Sequence, residues 1–268
     1  MVWILIVFFS LFSLIGLALK WKVDFFNSCK VSVLAGIVTT CFIIVLKESA
    51  FTLSQLLEMT LAFCIFTLIS IFTILWHFYR DPERRPPMQK NVILSPADGT
   101  VRYIKKVEHG EILFSSKKQH QYHLNDITKS QLLMDGSYLI GVEMHMMNVH
   151  VNRAPISGKI ILQQPSKGKF LSLRNIQSVF QNERVTTVID QGGFQIGMVQ
   201  IASRLVRRIV SYHQEGAWIQ KGQRIGMIKF GSQVDVVLPK LADLDIRVQE
   251  GEKVKAGETI LGVYGQLK

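Results

Sequence analysis

Two residues near the C-terminus, Gly231 and Ser232, lie between apolar, strand-like runs within Gly226-Met-Ile-Lys-Phe-Gly-Ser-Gln-Val-Asp-Val-Val-Leu-Pro239. Glycine has no Cβ, so a nucleophile can approach its carbonyl and the backbone can take a strained turn there. The serine hydroxyl is the nearest nucleophile. If a base takes its proton, Ser232 Oγ can attack the Gly231 carbonyl, convert the peptide to an ester, and lose that ester by β-elimination. Hydrolysis of the dehydroalanine so formed leaves a pyruvoyl group. Gly-Ser pairs are common in ordinary turns, so the pair permits this chemistry without requiring it.

A base is available in Gly141-Val-Glu-Met-His-Met-Met-Asn-Val-His-Val-Asn-Arg153. His145 and His150 are five apart, and an odd separation in an extended strand sends them to opposite faces. A metal site is not expected, because no His-Glu-x-x-His helix or cysteine partner accompanies them. An unperturbed histidine titrates near neutrality and suits proton transfer, which makes His150 the candidate general base and His145 a structural residue. Asp98, in Ser95-Pro-Ala-Asp-Gly99, reads on its own as a turn former between two apolar runs, a hairpin signal. Arg153 is a bidentate donor suited to a carboxylate or a phosphate. Arg204, Arg207 and Arg208 interrupt an apolar run and form a positive edge, either a solvated face or a site for lipid phosphate.

Taken together, Leu94-Ser-Pro-Ala-Asp-Gly99, Asn148-Val-His-Val-Asn-Arg153, Asn182-Glu-Arg184, the run from Gln200-Ile-Ala to Arg207-Arg208-Ile209, and Gly231-Ser232 resemble the short-form phosphatidylserine decarboxylase family of bacteria and archaea. The similarity runs from about Phe78 to the C-terminus, with the motifs in one order. The resemblance implies self-cleavage at Gly231-Ser232 into residues 1–231 and 232–268, which stay together as a heterodimer. It implies that Ser232 becomes a covalent pyruvoyl group, which decarboxylates the serine head group of phosphatidylserine, or of its ether-lipid analogue, through a Schiff base. It also assigns His150 as base and Asp98 as the carboxylate that orients it, in the manner of a Ser-His-Asp triad. Long-form members carry a second histidine where this chain has Arg153, which leaves open whether His150 serves both reactions. Asn182-Glu-Arg184 matches without an evident role.

Around these residues the chain divides in two. Of the formal charge of +11, all but one unit lies beyond Tyr79, since four lysines face three acids before it. Hydrophobic residues make up 48% of the chain and are concentrated before Tyr79. Met1 to Leu19 and Leu56 to Trp76 have spanning length, and Val31 to Leu46 is a shorter candidate. Gly16-x-Ala18 could pass as a signal cleavage site, but the positive start is missing and more apolar segments follow. Lys20, Lys22 and Lys30 and the flank at Arg80, Arg84 and Arg85 place both positive regions on one side if all three segments span. The N-terminus then lies outside and the globular part in the cytoplasm. A basic globular part beside a membrane suits an anionic phospholipid surface better than nucleic acid, for which no motif is present. Cys29, Cys41 and Cys64 all lie in or beside the apolar segments, so no disulfide or cysteine metal site is expected in the globular part.

The expected fold is thus an α-helical membrane anchor, residues 1–79, followed by a mostly β (α+β) catalytic domain, residues 80–268. Arg80-Asp-Pro-Glu-Arg-Arg-Pro-Pro87 marks the boundary, because prolines end a helix and charges stay out of lipid. His109 to Asp135 reads as a loop or insertion. Val248 to Val263, with its spaced glycines, looks like the turns and short strands of a lipoyl- or biotinyl-type barrel. That likeness supplies the rival, a non-enzymatic membrane-anchored barrel module; a pyruvoyl decarboxylase for a soluble amino acid is the other. Homo-oligomerisation is left open.

Overall fold

A computed structural model of the chain describes residues 55–108, 111–113, 121–128, 137–169, 171–172, 177–203, 209–229, 232–241 and 243–265, with isolated positions at 33, 36–38, 41 and 44. The chain forms two compact units, residues 1–80 with 145–147, and residues 81–144 with 148–268.

In the first unit a single long helix is described, α1 (Gln55–Tyr79). Its segment Thr60–Tyr79 is long and apolar enough to cross a membrane. Leu68, Phe72 and Trp76, spaced at i, i+4 and i+8, are each about two-thirds exposed, so one helix face presents an apolar stripe. The hydroxyls of Thr67, Ser70 and Thr73 donate to carbonyls one turn back, at Phe63, Phe66 and Ile69. They are therefore satisfied without water, as an apolar surrounding requires. Arg80 closes the helix by donating to His77 O and to Met147 O. The expected span from Met1 to Leu19 lies outside the described residues. So does most of Val31 to Leu46, whose described positions are helical.

The second unit is built from short antiparallel strands. In its first half these are β1 (Val92–Leu94), β2 (Gly99–Lys106), β3 (Glu111–Leu113), β4 (Gln121–His123), β5 (Tyr138–Met144), β6 (Val151–Arg153), β7 (Gly158–Ser166) and β8 (Arg184–Asp190). There follow β9 (Gln195–Ala202), β10 (Ile209–Ser211), β11 (Trp218–Ile219), β12 (Arg224–Ile228), β13 (Ser232–Leu238), β14 (Asp245–Ile246), β15 (Lys253–Val254) and β16 (Ile260–Val263). Two short helices, α2 (Leu124–Thr128) and α3 (Ser178–Gln181), interrupt them. The large sheet has the order β11-β7-β8-β9-β13-β5-β2-β15, and the smaller ones are β1-β16-β14, β10-β12-β6 and β3-β4.

β13 sits in the middle of the large sheet because its sequence can be buried on both faces. Val234, Val236 and Leu238 join the main apolar core on one side. Val237 joins a second core with Tyr103, Leu139, Val179, Val199 and Ile201 on the other. This two-sided burial marks a central strand, and its period of two pins the register against β5 and β9.

Two expectations are corrected. The Asp98-Gly99 turn does not close a hairpin: β1 pairs with β16, and β2 with β5 and β15. The loop between β1 and β2 is instead hydrogen-bonded to the C-terminal segment, with Ser95 N donating to Thr259 O and Gly257 N to Ser95 O, which diverts the two strands into different sheets. Within His109 to Asp135, the described residues form the β3-β4 hairpin and α2, whose Ile127 and Thr128 are fully buried. In the C-terminal region the short strands and turns are present, with Gly251 and Gly257 at φ of 89° and 73°, where a side chain would be strained. These strands are shared between two sheets, and the described pairings trace no closed barrel.

Candidate active site

Ser232 is the first residue of β13, and its backbone pairs with Met144 of β5 on one side and Ala202 of β9 on the other. The Gly231-Ser232 bond is therefore carried at the head of the central strand. Gly231 itself, and with it Arg204, Arg207 and Arg208, lies outside the described residues.

The His150 motif runs into β6, which pairs with β12 and is prolonged by the bond from Ile228 N to His150 O. His150 is fully buried, with Nδ1 2.8 Å from Asn148 O. A carbonyl can only accept, so this contact makes Nδ1 the protonated nitrogen, and the neutral ring then carries its lone pair on Nε2. The imidazole is held in the tautomer that a base needs. His145, in contrast, lies in the turn after β5 and belongs to the unit that contains α1.

Asp98 was expected to orient that ring, and the geometry differs. Its Oδ2 accepts from Arg84 at 2.8 Å, and its Oδ1 accepts from Ala256 N at 2.7 Å. Arg84 also reaches Glu258 at 3.1 Å. Asp98 thus ties the loop before β2 to the linker and to the C-terminal segment, while the carbonyl of Asn148 takes the place on Nδ1 that the triad analogy gave to Asp98. The substitution is local: a carbonyl two residues away in the same turn reaches the ring without any long-range partner.

Arg153 is buried with its donors committed. It donates to Gly222 O at 3.0 Å, to Pro82 O at 3.0 Å and to Asp81 Oδ1 at 3.1 Å. Of the two partners considered for it, a carboxylate is the one it meets, and the expected role as a lipid-phosphate ligand gives way to that of a clamp on the linker. Arg224 adds to the clamp by pairing with Asp81 and with Glu83.

Several polar residues stood in the sequence motifs without a role of their own. Asn152 and Gln200 are both buried, and Gln200 Nε2 donates to Asn152 Oδ1 at 2.8 Å. Asn152 Nδ2 points to the thioether of Met144 at 3.8 Å. Asn182 accepts from Leu171 N and donates to Leu171 O and to Ala202 O, so it secures the end of β9 that lies beside Ser232. Arg184, almost wholly buried, donates to the carbonyls of Ile127, Val179 and Asn182. The unexplained Asn182-Glu-Arg184 motif therefore braces the site from behind.

On β13 itself, Gln233 and Asp235 project to the face opposite Val234. Tyr103 donates to Asp235 at 2.8 Å, Gln233 Nε2 donates to Asp235 at 2.6 Å and to Tyr103 at 2.7 Å, and Arg102 donates to Gln233 at 2.8 Å. Burial pushes the Asp235 carboxyl up to about 6, against the opposing pull of its hydrogen bonds from Gln233 and Tyr103. Burial, reinforced by the Asp235 charge, raises the Tyr103 phenol well above its ordinary value. The available signal was a pair of polar residues on one face of an otherwise valine-rich strand. Among the described residues, no three His, Cys, Asp or Glu side chains gather as a metal site.

Comparison with known proteins agrees with the motifs. The family model described as phosphatidylserine decarboxylase matches residues 71–262. A phosphatidylserine decarboxylase proenzyme of Chlorobium phaeobacteroides is 39% identical over 73% of this chain and 81% of its own length. The protein of the same name from Geotalea uraniireducens is 36% identical over 74% and 82%. A Methanocaldococcus jannaschii protein, provisionally named an archaetidylserine decarboxylase proenzyme, is 43% identical over 72% and 90%.

Proposed function

The chain belongs to the phosphatidylserine decarboxylase family, and from that premise we propose that it is a membrane-anchored proenzyme that cleaves itself at Gly231-Ser232 and then decarboxylates a serine-headed phospholipid, diacyl or diether. The observation that carries the proposal is the position of Ser232 at the head of the central strand, between Met144 of β5 and Ala202 of β9, with Asn152 of the His150 motif bonded to Met144 and to Gln200 of β9.

In the maturation step, His150 Nε2 accepts the Ser232 hydroxyl proton and Oγ adds to the Gly231 carbonyl. The C–N bond then breaks, leaving an ester and a free amine on residue 232. Loss of the α-proton and rupture of the Cβ–Oγ bond release Gly231 as a carboxylate. Addition of water to the remaining enamine frees ammonia and leaves the pyruvoyl group on residue 232.

The surroundings fit such a group. Residue 232 is held by ladders on both sides, its β9 neighbour is the small Ala202, and the uncharged amides of Asn152 and Gln200 are bonded to one another, with Asn152 reaching Met144, its β5 neighbour. The pyruvoyl carbonyl supplies an electron sink once the substrate amine has condensed with it. What the chain adds is position and proton transfer. His150, whose Nδ1 is held by Asn148 O, is proposed to return a proton to the carbon that carbon dioxide leaves. The basic side chains Arg204, Arg207 and Arg208 are proposed to receive the lipid phosphate. The anchor holds the domain where its water-insoluble substrate resides, as a multi-pass segment with the domain on the cytoplasmic side. The two cleavage products remain one heterodimer, because residues 232–268 supply β13 to the large sheet and β14 and β16 to another.

The intact mass of purified protein tests the proposal. Two chains dividing between Gly231 and Ser232, the smaller lighter by one ammonia than its simple hydrolysis product, are expected; one full-length mass from folded protein refutes it. Turnover of serine phospholipid in liposomes but not of free serine separates a lipid enzyme from one acting on a soluble amino acid.

A further inference from the structure

The self-cleavage proposed above generates an oxyanion, because the Gly231 carbonyl oxygen becomes negative when Ser232 adds to it. Such a charge needs a donor aimed at it beforehand, in a site closed to water. The residues around Ser232 offer one.

β13 is flanked by β5 and β9, and on the Ser232 face its neighbours are Met144, paired with Ser232, and Gln200, paired with Val234 two residues on. Positions two apart on a strand share a face, so Gln200, opposite Val234, stands on the face to which the register assigns position 232. The side chain of Asn152 touches both flanks, with Nδ2 at the Met144 sulfur and Oδ1 on Gln200 Nε2. It therefore lies across β13 at its head. Asn152 also stands two residues from His150, which puts amide and imidazole on the same side of their extended segment.

The orientation of that amide is set by Gln200. Because Gln200 donates to Asn152 Oδ1, the Asn152 N–H2 is turned away from Gln200, toward the Met144 and Ser232 row. There the acceptor it meets is a thioether, among the weakest a protein provides. Asn152 is wholly buried and Gln200 nearly so, and a buried amide donor given only a sulfur holds its hydrogen-bonding strength for a better acceptor. Gln200 is itself hemmed in, since its Nε2 lies 3.1 Å from where a Cβ on Gly226 would stand.

We infer that Asn152 donates to the oxyanion formed when Ser232 adds to the Gly231 carbonyl, and that Gln200 is the positioning residue that turns the Asn152 amide toward it. The inference rests on the self-cleavage reading and names a participant in that step. His150 moves the proton, and Asn152 receives the charge.

The test follows the disappearance of full-length chain after cell-free synthesis in detergent, with Ser232→Ala as reference. Asn152→Leu is expected to slow cleavage about 10²-fold or more, the scale for losing one oxyanion donor, while leaving its pH dependence, which reports the base, unchanged. Gln200→Met is expected to slow it less, and the double variant to be no slower than Asn152→Leu alone, because Gln200 acts through Asn152. A merely structural role for Gln200 would add to the loss. Fold is checked by the thermal midpoint of each variant combined with Ser232→Ala. If Asn152→Leu does not melt cooperatively, Asn152→Asp takes its place, keeping the shape and the oxygen that Gln200 bonds but removing the donor. Cleavage of Asn152→Leu or Asn152→Asp at the parental rate, with Ser232→Ala uncleaved, overturns the inference and leaves the family reading intact. Cleavage of Ser232→Ala at the same bond overturns the reading itself.

Discussion

Replacing Asp235 by asparagine isolates one electrostatic quantity in the core behind the reactive strand. The Asp235 carboxyl, ordinarily near 3.8, is pushed up to about 6 in the folded protein, with desolvation as the leading cause. The groups facing it are Tyr103 and Gln233 in direct contact, with Arg102 and Arg184 as the cations that act on it from farther away. A carboxyl raised from 3.8 to about 6 contributes stability that is fully present below the lower value and is lost as pH climbs to the upper one. Above that, folding carries a constant penalty of about 3 kcal/mol for holding the charge in the interior. Asparagine is nearly isosteric and does not titrate. It can still accept from Gln233 and donate to the Tyr103 hydroxyl, so its own cost is independent of pH. The assay is guanidinium unfolding, followed by far-UV circular dichroism, of Ser232→Ala with and without Asp235→Asn, in detergent between pH 4 and 7. The single-chain background keeps unfolding unimolecular, and every other titrating group cancels in the difference. The asparagine variant should gain about 2 kcal/mol relative to its parent across that range, the remainder falling below pH 4. A difference that stays flat with pH would show that Asp235 titrates alike in both states, and would refute the argument from burial.

Other expectations follow from named contacts. Arg184→Ala leaves the carbonyls of Ile127, Val179 and Asn182 without their buried donor and should cost at least about 3 kcal/mol, read as a lowered guanidinium midpoint in the Ser232→Ala background; an unchanged midpoint would contradict the bracing role. Gly222→Ala should free the linker, because Gly222 has φ of 78° and an added Cβ would stand 2.3 Å from Pro86 Cγ. Trypsin would then cut faster after Arg80 and Arg84, and wild-type resistance would argue against the clamp. The two products of self-cleavage should co-elute in native buffer and part only in denaturant, since β13 keeps its ladders with β5 and β9 across the break.

The candidates for the site that could be picked out from the chain are those whose chemistry is local. A glycine before a serine, and a histidine in an extended motif, announce themselves within a few residues. Arg153 does not: its partner Asp81 lies 72 residues earlier, and only the fold shows that a carboxylate rather than a phosphate meets it. The same holds for Asn152 and Gln200, 48 positions apart and joined only because the fold brings β6 against β9. Asp98 misled in two ways, as the turn of a hairpin and as the partner of His150. The hairpin lost to bonds from the C-terminal segment, which no local pattern contains; the pairing with His150 lost to Arg84 and Ala256 on the carboxylate and to the nearby Asn148 carbonyl on the ring. Strand character was legible from apolar runs, whereas sheet order was not, because apolar patterning fixes the buried face of a strand and leaves its neighbour open.

The central place of β13 has a further meaning for biogenesis. The strand is synthesised after both of its neighbours, β5 and β9, and the large sheet stays split into two incomplete halves until it is inserted. Pairings this distant in sequence form late and slowly. Ser232 meets Met144 and Ala202 only once that insertion is made, so an unfinished sheet leaves the serine without the strands that flank it. Under the self-cleavage proposed above, processing then acts as a quality checkpoint: a misassembled chain stays unprocessed and inert, and each processed molecule certifies that its own sheet was completed.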